Sequence, residues 1–83
     1  MKKRILVVED EKHLAETIKL NLEIEDYHPI VVHDGASAIS TFKEQRFDLV
    51  ILDIMIPNID GIAVCENIRL HDGDVPVMFL SAL

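Results

Sequence analysis

Short runs of apolar residues alternate with longer amphipathic stretches along the whole chain. Four runs are three or four residues long and uninterrupted, a pattern typical of strands that are covered on both faces. Between them, apolar residues recur every three or four positions, which predicts amphipathic helices. In chain order we predict strand Arg4–Val8, helix Lys12–Ile24, strand Ile30–Val32, a helix from Asp34 to about Arg46, strand Leu49–Leu52, a helix from about Ile62 to Leu70, and strand Val77–Leu80.

Each predicted helix has one apolar face, which we expect to pack on a sheet. The inner positions are Leu14, Ile18 and Leu22 in the first helix, Ala38, Ile39 and Phe42 in the second, and Val64, Cys65 and Ile68 in the third. Pro29 immediately precedes the second strand and has no backbone N–H group to donate. This strand is therefore predicted to lie at an edge of the sheet.

The alternation of single strands with single helices predicts the fold class. Each strand–helix–strand unit should form a right-handed crossover, so the strands are expected to make one parallel sheet in a (βα)3β arrangement, an α/β fold. The 83 residues suffice for one small domain, and no linker, repeat or low-complexity segment divides residues 1–83. In sheets of this kind, ligands bind at the carboxyl ends of the strands.

Composition and charge narrow the class of partner. Fifteen acidic residues against eight basic ones give a net charge of −7, which argues against direct binding of nucleic acid or an anionic membrane. No apolar run approaches the ~20 residues of a membrane span, and the basic residues 2–4 do not lead into a signal-peptide core, so we expect a cytoplasmic protein. Cys65 is the only cysteine and is expected to be a small buried hydrophobe.

Polar side chains follow three of the predicted strands. Glu9 and Asp10 end the first strand, Asp53 ends the third, and Ser81 follows the fourth. Because the carboxyl ends of parallel strands share one edge of a sheet, we expect these four side chains to converge there. Three carboxylates at a partly buried rim repel one another strongly. A hard divalent cation such as Mg²⁺, which prefers a few oxygen ligands, would offset that repulsion.

Other classes of site fit the sequence less well. Dinucleotide-binding and P-loop folds place glycines after the first strand, where this chain has the acids Glu9–Glu11. A phosphatase with an aspartyl nucleophile usually carries a second acid two residues later, where this chain has Met55. A purely structural alternative is that Asp10 caps the first helix and Asp53 lies in a turn, as isolated aspartates often do. That alternative explains each aspartate alone better than it explains their convergence at one rim.

Three segments together resemble the receiver domain of two-component response regulators. They are Val7-Val8-Glu9-Asp10-Glu11, the stretch DIMIPNIDG from Asp53 to Gly61, and Pro76-Val77 through Ser81-Ala82. Their order and spacing are similar to the family's over the whole chain. The resemblance implies a flavodoxin-like receiver fold with strand order 2-1-3-4, in which Pro57 and Gly61 would shape the loop after the third strand. The Glu-Asp form of the acidic pair is similar to a subclass with a winged-helix DNA-binding output domain, which implies transcription regulation.

The resemblance also implies a role for each residue at the rim. Asp53 would be the nucleophile that takes a phosphoryl group from the phosphohistidine of a sensor histidine kinase. Glu9, Asp10 and Asp53 would hold Mg²⁺, directly or through water, together with the backbone carbonyl of Met55. Ser81 would donate its hydroxyl to a phosphoryl oxygen. These roles describe a signalling domain with self-catalysed phosphotransfer, and not a conventional enzyme.

The resemblance is incomplete at the carboxyl end. Receiver domains usually continue with a helix, a fifth strand that ends in a lysine, and a last helix, whereas this sequence ends at Leu83. We therefore expect a truncated receiver whose phosphotransfer is impaired. The alternative function is a self-associating interaction or scaffold fragment without phosphotransfer, because the apolar fourth strand would leave an open edge for a second copy. Four histidines lack metal-ligand spacing and are expected to be surface or packing residues: His13, His28, His33 and His71.

Overall fold

The computed structural model describes residues 2–56 and 59–80. Its elements are β1 (Arg4–Val8), α1 (Lys12–Ile24), β2 (His28–Val32), α2 (Gly35–Glu44), β3 (Leu49–Asp53), α3 (Gly61–His71) and β4 (Val77–Leu80). The strands are parallel and their order in the sheet is β2-β1-β3-β4. The predicted α/β class, the (βα)3β arrangement and strand order 2-1-3-4 are thus confirmed.

The strand β2 begins two residues earlier than the sequence predicts. The N–H of His28 donates to the carbonyl of Lys3 (2.8 Å), and Pro29 lies opposite Ile5 in the parallel register. Within the described residues β2 pairs with β1 alone, so the predicted edge position is confirmed. An edge strand has one side without ladder hydrogen bonds, and it therefore tolerates the missing N–H of proline.

The central strands β1 and β3 are covered on both faces. The face beneath α2 and α3 buries Leu6, Val8, Val50 and Leu52, and the face beneath α1 buries Ile5, Val7 and Ile51. The side chains of Ile5–Val8 in β1 and Leu49–Leu52 in β3 are therefore all apolar, and these runs do not alternate with polar residues. The polar side chains that follow these two apolar runs, Glu9 and Asp53, lie at the carboxyl edge of the sheet.

The buried face of α1 differs by one position from the predicted one. Ala15 is fully buried and Ile18 and Leu22 pack on the sheet, which is the i, i+3, i+7 spacing of one helix face. Leu14 is 44% exposed, so its prediction as an inner residue is wrong: Ala15 takes the position nearest the sheet in that turn. Cys65 was predicted to be buried, but α3 leaves it only partly buried at the margin of the core.

Acidic side chains cap the amino end of each helix. The carboxylate of Glu11 accepts from the N–H groups of His13 and Leu14 at the start of α1. Asp34 accepts from Ser37 at the start of α2, and Asp60 accepts from Ala63 at the start of α3. These caps fix the turns that connect the carboxyl ends of the strands to the helices. Within the described part of the chain, none of the helices combines the length and apolar character that a membrane crossing needs.

Candidate phosphoacceptor and metal site

Three carboxylates meet at the carboxyl edge of the sheet. Glu9 follows β1 and Asp53 is the last residue of β3, and these strands are hydrogen-bonded neighbours. Carboxylate oxygens of Glu9, Asp10 and Asp53 all lie within 4.8 Å of one another. The predicted convergence of these three residues is confirmed, and it follows from the parallel pairing of the two central strands.

Two of the three carboxylates are withdrawn from solvent. Glu9 is 1% exposed and Asp53 is 8% exposed, whereas Asp10 is exposed. The N–H of Glu11 donates to Oε2 of Glu9 (3.0 Å), and the N–H of Met55 donates to Oδ1 of Asp53 (3.0 Å). Among the described residues no lysine or arginine forms an ion pair with any of the three. The cluster therefore concentrates negative charge that backbone hydrogen bonds offset only in part.

Burial and the neighbouring carboxylate of Asp53 shift the pKa of Glu9. Burial raises the pKa of Glu9 above its ordinary value of 4.5, the hydrogen bond from Glu11 lowers it in part, and the nearby negative charge of Asp53 raises it further. Both raising effects disfavour the ionised form of the carboxyl group. A cation bound beside Glu9 would act in the opposite direction, because it favours the ionised form.

The raised pKa of Glu9 predicts how stability depends on pH. An acid with a higher pKa in the folded chain than in the unfolded chain stabilises the fold when it is protonated. The free energy of unfolding should therefore fall as pH rises from the ordinary value of 4.5 through the raised pKa of the folded state. We expect Glu9→Gln to flatten this decline in urea unfolding curves measured with EDTA at a series of pH values.

The control for this experiment is Glu23→Gln, the same exchange at an exposed position of α1. It should leave the decline as it is in the wild type. A decline that is equally steep in the wild type and in Glu9→Gln would contradict the assignment of the pH dependence to Glu9.

Asp10 is not the residue that caps α1. The residue that caps α1 is Glu11, whose carboxylate accepts from the N–H groups of His13 and Leu14. Those two hydrogen bonds also lower the pKa of Glu11, the bond from Leu14 contributing most. Asp10 lies one residue before the cap and is exposed toward the rim. Helix capping therefore does not account for Asp10, and its carboxylate remains available for a ligand.

The loop between β3 and α3 approaches the site very closely. The N–H of Gly61 donates to the carbonyl of Ile54 (2.8 Å). A Cβ atom at Gly61 would lie 2.5 Å from the carbonyl oxygen of Asp53 and 2.6 Å from Cα of Ile54. Since backbone atoms cannot move aside as a side chain can, this close approach requires glycine. Gly61 thereby sets the path of the chain directly after Asp53.

Part of the predicted site lies outside the described residues. The structure does not describe Ser81, which was predicted to donate to a phosphoryl oxygen. It also does not describe Pro57, which was predicted to shape the loop. Met55 was predicted to offer its carbonyl oxygen to the ion. Its N–H group donates to Asp53, and its side chain is exposed. The predicted roles of Ser81, Pro57 and the Met55 carbonyl stay predictions.

One contact at the rim involves a residue that sequence reasoning treated as a surface or packing histidine. Nδ1 of His33 lies 2.8 Å from the carbonyl oxygen of Glu9. The signal that could have revealed this contact is the register of the two strands. Val8 lies opposite Val32 at the strand ends, so the residues that follow them, Glu9 and His33, are also neighbours. Without the register, a separation of 24 residues gives no indication of the contact.

Comparison with protein families matches residues 5–83 to the response regulator receiver domain. The DNA-binding response regulator MtrA of Mycolicibacterium smegmatis is 43% identical over 82 residues, which cover 99% of this chain and 36% of that protein. The probable transcriptional regulator ycf27 of Guillardia theta is 39% identical over 82 residues, which cover 99% of this chain and 32% of that protein. The chain therefore spans about a third of the length of these relatives.

Solved structures with the same fold carry ligands and partners. TrrA of Thermotoga maritima, solved in complex with Mg²⁺-BeF, has a TM-score of 0.94 at 40% identity, covering 100% of this chain and 71% of that chain. A receiver domain of a Pseudomonas aeruginosa sensor histidine kinase was solved with magnesium coordinated in its active site cleft. It has a TM-score of 0.94 at 30% identity, and the match covers 99% of this chain and 69% of that chain. A complex of histidine kinase ThkA with TrrA has a TM-score of 0.91 at 40% identity, and the match covers 99% of this chain and 70% of that chain.

The family match extends over nearly the whole chain, the fold agrees with solved receiver domains, and the three carboxylates lie together at the end of the central strands. This chain belongs to the response regulator receiver domain family of two-component signalling.

Proposed function

We propose that this chain is a phosphoacceptor module, in which Asp53 takes a phosphoryl group from a sensor histidine kinase with Mg²⁺ held by Glu9, Asp10 and Asp53. The observation that carries the proposal is the approach of these three carboxylates to within 4.8 Å of one another, at an edge where two of them are buried. In this proposal, residues 1–83 act as the receiver part of a longer transcription regulator. Two relatives that are named as regulators support this assignment.

The donor set at the rim fits Mg²⁺. The ion takes oxygen ligands and retains several waters, so two or three carboxylates and one carbonyl are sufficient. Among the residues that the structure describes, one backbone N–H donates to Glu9 and one to Asp53, and the other oxygen atom of each carboxylate can face a cation. The carbonyl of Met55 is the further proposed ligand, since it follows Asp53 by two residues in the same turn. When bound, Mg²⁺ offsets the charge that gathers on the phosphoryl oxygens during transfer.

The geometry of Asp53 suits a nucleophile. The N–H of Met55 holds Oδ1, which leaves Oδ2 to attack the phosphorus atom of a phosphohistidine. The phosphorus–oxygen bond forms as the phosphorus–nitrogen bond breaks, the electron pair of that bond returns to the ring nitrogen, and the phosphohistidine ring, which already carries a proton on its other nitrogen, leaves as neutral imidazole while Asp53 becomes an acyl phosphate. Ser81, which follows β4, is proposed to donate its hydroxyl to an oxygen of the phosphoryl group.

The kinase partner is proposed from chemistry and from one relative. The reaction requires a phosphorylated imidazole as donor, and the solved complex of ThkA with TrrA supports a histidine kinase as the protein that presents it. The net charge of −7 makes this segment a poor ligand for nucleic acid. DNA binding is therefore assigned to another part of the longer regulator.

Mg²⁺ should stabilise the fold, because an ion that binds only the folded chain adds free energy by mass action. At ten times its dissociation constant the gain is about 1.4 kcal/mol, which in a domain of this size raises Tm by about 5–10 °C. Asp10→Asn should lose most of this gain in thermal unfolding followed by circular dichroism with and without millimolar MgCl2.

Asp74→Asn is the matched control, since it removes the same charge from an exposed position in the loop before β4. It should retain the full response to Mg²⁺. A Tm of the wild type that does not respond to Mg²⁺ would overturn the metal site, and an equal response in Asp10→Asn would remove Asp10 from it.

A second candidate function, self-association, is supported by β4. Within the described residues β4 pairs only with β3, and Pro76 turns its carbonyl toward Val50 of β3. The alternation of a strand therefore directs the backbone groups of Val77 and Phe79 to the open edge. Phe79 is 42% exposed and forms an apolar groove with Ile62 and Leu70 of α3. We propose that a second copy of the chain pairs along this edge, with symmetric pairing as the simplest closed arrangement.

Phe79→Lys should shift the chain toward the monomer, because the charge would be buried in the interface. Sedimentation across a concentration series up to high micromolar measures the shift. Leu20→Lys, the same exchange on the exposed surface of α1, should sediment as the wild type does. A wild type that stays folded and monomeric throughout the series would contradict self-association.

A further inference from the structure

The main chain of Glu9 is held at both its N–H and its carbonyl, by the last residue of β2 and by the residue that follows β2. The N–H of Glu9 donates to the carbonyl of Val32 (3.0 Å), and the carbonyl of Glu9 lies 2.8 Å from Nδ1 of His33. The first contact continues the ladder between β1 and β2. The second replaces a backbone ladder bond with a side chain, at the point where β1 ends and the chain turns toward Asp10.

The chemistry of this contact settles the direction of the hydrogen bond. A carbonyl oxygen only accepts, so Nδ1 of His33 must carry the hydrogen and donate it. Nε2 is then free on the other side of an exposed ring. A donor on a side chain can be removed by substitution, whereas the backbone donors around Glu9 cannot.

We propose that His33 is a positioning residue of the acidic site, which holds the turn from Glu9 to Asp10 so that the carboxylates are preorganised for Mg²⁺. The inference rests on the proposed function, and it adds a residue that does not touch the ion. The side chain of Glu9 is also held, by the N–H of Glu11, so His33 adds a main-chain contact to a residue whose carboxylate is already oriented. Groups that orient metal ligands from outside the coordination sphere raise metal affinity by reducing the ordering that binding requires.

The test compares side chains with and without a donor at this place. His33→Ala removes the donor, and His33→Leu removes it while retaining volume. His33→Asn places an amide N–H close to the position of Nδ1 and should restore the contact. His28→Ala is the control, since His28 is exposed at the start of β2, at the opposite end of the strand.

Mg²⁺ dissociation constants are measured by isothermal titration calorimetry, under conditions in which circular dichroism shows each variant to be folded. All variants are titrated at the same pH and ionic strength. We expect Mg²⁺ binding to weaken about fivefold in His33→Ala and His33→Leu, the value of one net hydrogen bond. Binding in His33→Asn should stay within about twofold of the wild type, and His28→Ala should be unchanged. If the alanine variant does not fold, the leucine variant provides the comparison.

The outcomes separate this inference from the function on which it rests. Equal Mg²⁺ affinity in the wild type, His33→Ala and His33→Leu would overturn the positioning role and leave the metal site intact. Equal weakening in His33→Asn would also overturn it, because the effect would then not follow the donor. A wild type that binds no Mg²⁺ would overturn the proposed function, and the inference with it.

Discussion

Gly61→Ala is expected to lower the stability of the fold by about 1–3 kcal/mol, which is on the order of 10 °C in Tm for a domain of this size. The added Cβ would lie 2.5 Å from the carbonyl oxygen of Asp53, so the backbone of the β3–α3 loop must move. Alanine would otherwise favour the first turn of α3 by up to ~1 kcal/mol, and the expected loss is therefore opposite in sign to helix propensity. Because the displaced carbonyl belongs to Asp53, the response to Mg²⁺ should also weaken.

Gly73→Ala provides a matched control in the same chain. A Cβ at Gly73 meets no atom of the described residues within 4 Å, so the free energy of unfolding should change by no more than about 0.5 kcal/mol. Chemical unfolding by urea, followed by circular dichroism, gives both values. Equal stability of Gly61→Ala and Gly73→Ala would show that the loop after Asp53 is looser than its contacts indicate.

Asp53→Asn is expected to change stability in opposite directions with and without Mg²⁺. In EDTA the variant should be more stable than the wild type by about 1–2 kcal/mol at low salt, because one of three neighbouring negative charges is removed. The amide can still accept the N–H of Met55 that now reaches Oδ1, and its NH2 group can donate to Glu9. In millimolar Mg²⁺ the order should reverse, because the variant has lost a ligand and gains little from the ion.

Paired thermal unfolding curves in EDTA and in MgCl2 measure this reversal. Asp74→Asn should follow the wild type in both buffers, since its carboxylate is exposed and lies in the loop before β4. An Asp53→Asn variant that keeps the full Mg²⁺ increment of the wild type would show that Asp53 is not a ligand of the ion.

The features of the fold that follow from continuous apolar runs could be predicted from the sequence. Leu49–Leu52 contains no polar residue because both faces of β3 are covered, and such a run is recognisable without a structure. The register of β2 could not be predicted in the same way. His28 and Pro29 belong to the strand, yet neither is a typical strand residue, and only pairing with β1 places them there. The exposure of Leu14 was likewise decided by the direction in which α1 faces the sheet.

The candidate site was predictable where it depends on topology. Parallel strands bring Glu9 and Asp53 to one edge, so their convergence follows from the order of elements. The division of roles between Asp10 and Glu11 was not predictable, because either acid could have capped α1 from its place in the sequence. His33 was missed for a related reason: its contact with Glu9 depends on the register of β2, which the sequence does not determine.

The most direct test of the phosphoacceptor assignment is the intact mass of the protein after incubation with acetyl phosphate and MgCl2. We expect one phosphoryl group per chain, added slowly, mapped to Asp53 after proteolysis, and absent when EDTA replaces Mg²⁺ or when Asp53→Asn replaces the wild type. Addition that persists in Asp53→Asn, or a wild type that binds Mg²⁺ but takes up no phosphoryl group, would contradict the account.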